Sequence, residues 1–150
     1  MKILKGGVMC WKQRMCVVVA VVFLSVFGNG LWSDPGNWGD AVVPSTGDGK
    51  QVRCQPGLTA TINSSTGADQ IVWGHASGDA AMLNMTGGSL DVSGQFMLGQ
   101  GPGEEGNFNM SGGTMTFTSG NSNNWRVGNK GIADVDIGNG ATVNALNESL

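Results

Sequence analysis

The sequence predicts an all-β protein, a right-handed parallel β-solenoid of about three to four coils. Three observations predict it. Nearly the same nine letters occur twice, NMTGGSLDV at 84–92 and NMSGGTMTF at 109–117. Around them apolar and polar residues alternate with period two, the signature of a strand with one face buried. Glycine is the third sign: 26 of the 150 residues are Gly, and those between the alternating runs suit tight corners. An antiparallel sandwich of about seven to nine strands would account for the alternation. It would not account for the recurrence.

The chain divides in order. Residues 1–30 read as a secretory signal peptide. Lys2, Lys5, Lys12 and Arg14 precede an apolar run at 15–28 broken only by Ser25, and Gly28 and Gly30 offer a small-residue exit. The run is shorter than the roughly 18–20 residues that span a bilayer, so cleavage after Gly30 is expected. Residues 31–56 read as an N-terminal cap ending in a first strand at 51–54. The repeats then occupy 57–150, as units 57–80, 81–106, 107–131 and a partial unit 132–150. Leu83-Asn84-Met85 aligns with Phe108-Asn109-Met110 and Val135-Asp136-Ile137. Leu90-Asp91-Val92 aligns with Met115-Thr116-Phe117, and Ala60-Thr61-Ile62 is placed in that same register. Trp73-Gly74, Leu98-Gly99 and Val127-Gly128 close the first three units. Met85, Met110 and Ile137 are therefore expected in one inward column, and Leu90, Met115 and Val143 in another.

Without residues 1–30 the chain keeps Lys50, Arg53, Arg126 and Lys130 against eleven acids, a net charge of −7. That sign disfavours nucleic acid and anionic membranes as partners. Only Cys54 remains of three cysteines, so no internal disulfide is expected, and Cys54 fits a buried strand as a small hydrophobe.

The chemistry-bearing residues read as structural. No catalytic, cofactor-binding or metal-binding residue is assigned, and no cofactor is expected. His75 is the only histidine and reads as a solvated turn residue with no nucleophile motif beside it. One His and one Cys do not make a usual zinc site. Glu104 and Glu105 sit in the loop GPGEEG, poorly placed for the spaced carboxylate pair of a glycosidase. Asn63, Asn84, Asn109 and Asn147 begin Asn-X-Ser/Thr triplets, and Asn84 and Asn109 read as stacked polar residues. Trp73 and Trp125 fall in inward register, and Trp32 and Trp38 read as a plug for the first coil rather than a sugar platform.

The segment LWSDPGNWGDAVVPSTGDGKQVRC, residues 31–54, resembles the start of many exported bacterial repeat proteins, where a W…NW…P…GD pattern precedes a β-solenoid. The NMSGGT units resemble the glycine-rich repeats of autotransporter-passenger-like proteins and of secreted proteins sorted by a PEP-CTERM tail. The resemblance implies export and a solenoid. No Pro-Glu-Pro motif or terminal apolar helix accompanies it here.

These readings converge on a non-enzymatic extracellular or cell-surface module, a stiff spacer or adhesin stalk. The alternative is a carbohydrate-binding module, or the front of a polysaccharide-active β-helix. The expected partners are a surface polysaccharide or further repeats of the same chain. The partial unit 132–150 lacks the third strand of earlier units, so either the chain is a fragment of a longer one or its ends pair between molecules.

Overall fold

The computed structural model describes residues 23–26, 28–118 and 125–145. Residues 1–22 of the expected signal peptide, and Asn147, lie outside the described residues. Fourteen strands follow in order: β1 Phe23–Val26, β2 Gly30–Leu31, β3 Gln51–Cys54, β4 Thr59–Ile62, β5 Thr66–Ala68, β6 Gln70–Trp73 and β7 Ala81–Met85; then β8 Ser89–Val92, β9 Phe96–Leu98, β10 Glu105–Met110, β11 Gly113–Phe117, β12 Trp125–Val127, β13 Ile132–Ile137 and β14 Ala141–Ala145.

They form three parallel sheets, ordered β1-β3-β6-β9-β12, β13-β10-β7-β4-β2 and β14-β11-β8-β5. Each sheet takes one strand from each coil, so the chain winds as a parallel β-solenoid. The alternating segments make this fold because no single coil can bury its apolar face, and stacked coils can. Met110 pairs with Met85 on one side and with Ile137 on the other. Met115 pairs likewise with Leu90 and Val143. Both expected columns are present. Backbone bonds continue the ladder past the strand ends, from Thr86 N–H to Ile62 O, Ser111 N–H to Met85 O and Gly138 N–H to Met110 O, at 2.8, 2.9 and 2.8 Å.

One register differs from expectation. Ala60, Thr61 and Ile62 pair with Leu83, Asn84 and Met85, so they begin the coil instead of forming its second strand. The second-strand position belongs to Thr66-Gly67-Ala68, which pairs with Leu90-Asp91-Val92. Backbone pairing decides this, because a three-residue alternation fits either position equally well. A second difference concerns faces. Val72 and Met97 lie in the outward row of their sheet, yet are 0% and 3% exposed.

The core runs the length of the stack. Ile62, Trp73, Leu83, Leu90, Phe96, Phe108 and Phe117 are all buried, and Trp125 stacks on Phe96 with ring centroids 5.2 Å apart. At the N-terminal end Trp32 and Trp38 are buried and meet edge to face at 4.8 Å. Trp38 Nε1–H donates to Trp32 O at 2.7 Å. Between them Asp34 accepts from Gly36 N–H at the start of a 3-10 turn, Pro35–Asn37.

The end of the expected signal peptide takes part in this fold. β1 pairs with β3, Val26 is buried, and β2 pairs with β4 across the expected cleavage point. Asn29 Oδ1 also accepts from Thr59 N–H at 2.6 Å. A mostly apolar segment covers the otherwise bare edge of β3.

Candidate functional site

Polar and charged groups gather in three places, all made by the coil geometry. The first is the corner between the first and second sheets. Arg53 occupies the outward row beside Val72, and its Nε–H donates to Gln51 Oε1 at 2.7 Å. Gln51 Nε2–H in turn donates to Gln70 Oε1 at 2.9 Å. His75 and Glu104 come from the loops that follow β6 and β9. The loops are tied by a backbone bridge between Ser77 and Glu104, and Ser77 Oγ–H donates to Pro102 O at 3.4 Å.

His75 is half-buried, not fully solvated as its turn suggests. Burial, and then the Arg53 charge, hold its imidazole below the ordinary histidine value, while Glu104 pulls the other way. Burial also lowers Arg53, opposed by Glu104. The two glutamates separate. The Glu104 carboxylate turns back on its own loop to accept from Gly101 N–H at 2.7 Å. Glu105 lies not in the loop but in β10, where its carboxylate accepts from Asn107 Nδ2–H at 3.4 Å.

The second place is a carboxylate clamp at Asp69, which sequence reasoning missed. Its oxygens accept from Gly47 N–H, Gly49 N–H and Ser93 Oγ–H. Burial opposes its charge, but these three donors outweigh it and hold Asp69 below the ordinary aspartate range. The clamp joins the Thr46-Gly47-Asp48-Gly49 segment to two successive coils. No local motif announces it, since its members are far apart in sequence and meet only when the coils stack.

The third is a set of outward ladders. Thr61, Asn84, Asn109 and Asp136 form one row of the second sheet. Asp91, Thr116 and Asn144 form a row of the third, beside Ser89, Thr114 and Thr142. Rungs follow the strand spacing of about 4.8 Å. Asn84 and Asn109 are thus stacked neighbours, as their repeat position suggests, and Asn63 is exposed in the turn after β4.

The remaining candidates are structural. Cys54 is buried in β3, and burial pushes its thiol up to about 12, far from a reactive thiolate. Trp32, Trp38 and Trp73 are buried, and Trp125 packs against the core. Among the described residues no group of three or more His, Cys, Asp or Glu could hold a metal ion, and no pocket is present.

The chain matches no protein-family model, no curated protein and no solved structure.

What the arrangement can do follows from its shape. The clamp and the loop bridge hold coils together, and the ladders present regular rows of hydrogen-bonding side chains.

Proposed function

We propose that this protein is an exported, non-enzymatic structural module, a stiff spacer or adhesin-like stalk at the cell surface. The observation that supports the reading is the uninterrupted inward column Ile62, Met85, Met110, Ile137. Every coil packs on the next through the same positions, so the body behaves as one rod whose length adds coil by coil. The tryptophans that could have stacked on sugar rings lie in this core instead, which favours a spacer over a polysaccharide-binding module. Export rests on the basic-then-apolar leader and on the resemblance of residues 31–54 to exported bacterial repeat proteins.

The test is an epitope tag placed at Pro102–Gly103, an exposed corner, in a bacterium expressing the full chain. Antibody labelling of intact cells supports the reading. Labelling only after lysis, with Met1 retained, overturns it.

A further inference from the structure

We infer that the peptide bond between Gly30 and Leu31 stays intact, and that residues 23–30 remain in the finished protein as part of its first coil. The inference rests on the export reading above and concerns where the leader gives way to the rod.

Folding uses both sides of that bond. Gly30 and Leu31 pair with Ala60 and Thr61, and Trp32 N–H donates to Thr61 O at 2.8 Å. Just before it, Asn29 Oδ1 accepts from Thr59 N–H at 2.6 Å. Further back, β1 runs along β3 in register, Phe23 to Val26 against Gln51 to Cys54. Val26 also bridges to Trp38 of the cap and is buried. A cut after Gly30 strips these contacts together. It bares the edge of β3, takes Val26 from the core it shares with Trp38, and leaves Thr59 N–H without its acceptor.

The glycines have a second meaning in this geometry. The exit of a signal peptide asks only for small residues, and alanine serves. Gly30 lies in a strand, so its backbone conformation does not demand glycine either. The cap does. Asn37 Nδ2–H donates to Leu31 O at 3.0 Å, and its amide lies against the leader's end. A Cβ on Gly30 would stand 2.5 Å from that Nδ2 and 3.1 Å from Cγ, while one on Gly28 would stand 3.2 Å from Oδ1. Asn37 can yield at Gly30 only by giving up its bond to Leu31. The neighbours Asn37 and Trp38 thus hold the segment at two points, Gly30 and Val26. A protein that began at Leu31 would contain neither.

Expression of the full chain in a bacterium, followed by intact-mass measurement and thermal melting of the recovered protein, tests this. The expected mass includes residues 23–30. Gly30→Ala, which leaves an acceptable exit, should keep that mass and lower the melting temperature by roughly 4 °C or more. In an Asn37→Ala background the collision is gone, and the same change should lower it by less than half as much. Protein that begins at Leu31 overturns the inference and leaves export standing. A Gly30→Ala melt that matches wild type overturns it, and so does a loss undiminished by Asn37→Ala. Fractionation scores location separately: cytoplasmic protein counts against export, and the melting comparison still decides whether Gly30 is held in the fold.

Discussion

Trp32 stacks on Trp73, ring centroids 6.2 Å apart and planes 21° from parallel. The cap thus reaches the core through one aromatic contact. Neither indole N–H has an acceptor, so the pair contributes through area and shape while each N–H is buried at a cost.

Trp32→Ala is therefore expected to destabilise by about 3–5 kcal/mol, the usual loss for a buried tryptophan. Trp32→Phe keeps a stacked ring and removes an unpaired donor, and its loss should stay below about 2 kcal/mol. Urea denaturation of the two variants measures the difference. Equal losses would show that the ring stack is not what holds the cap.

Met110 and Asn109 are neighbours on opposite faces of β10, one buried and one exposed. Met110→Asp places an unpaired charge between Met85 and Ile137 and should cost about 3–5 kcal/mol. Asn109→Asp places its charge in solvent beside Asp136, and should cost less than about 1 kcal/mol. Thermal melts of the two separate these outcomes widely.

Asp69 gives the fold an acid-sensitive joint. Its folded value is depressed, so its stabilisation is complete above the ordinary aspartate range and is lost as pH falls through the lower, folded value. Asp69→Asn should cost about 1.5–3 kcal/mol at neutral pH, the scale of hydrogen bonds to a charged acceptor, and should flatten this part of the acid titration. Hydrogen exchange at Gly47 and Gly49, followed downward in pH, reads the loop directly. Exchange rates that match between wild type and variant would remove the clamp from the account.

Gly99 and Gly128 hold the same corner in successive coils, with φ of +58° and +62°. A Cβ on Gly99 would lie 2.3 Å from the Ile132 carbonyl oxygen, whereas the nearest atom to one on Gly128 is at 3.4 Å. Gly128→Ala should cost about 1–2 kcal/mol from backbone strain alone. Gly99→Ala adds a collision with the next coil and should cost clearly more, read as a larger fall in melting temperature.

A chain beginning at Leu31 lacks β1 and the buried Val26. It should melt below a chain beginning at Phe23, with Val26 alone worth about 2 kcal/mol. Calorimetry of the two forms, beside N-terminal sequencing of exported material, tells whether the leader's end belongs to the working protein.

The columns through Met85 and Leu90 were legible because long alternating runs, repeated with their glycines, admit few registers. Ala60–Ile62 was not, because the neighbouring strand Thr66–Ala68 carries a glycine and an alanine where its later copies carry larger side chains. Its weak pattern left the stronger one to be assigned in its place. Burial of Val72 and Met97 in an outward row could not be read from alternation, which reports one covered face and is silent on a second. Arg53, His75 and Glu104 lie on separate coils, and so do Asp69 and Ser93. Only the winding of the chain brings such residues together.

A rod whose first coil is closed by Trp32 and Trp38 has a direction in time as well as in space. A chain that emerges N-terminus first can seat Trp32 and Trp38 against the earliest coil, and each later segment then finds a finished template. Pulled from the other end, the coils should peel off in reverse order. Each releases about 80 Å of slack, from some 25 residues at their extended length, so a stretched molecule would lengthen in even steps and re-form without losing its floor.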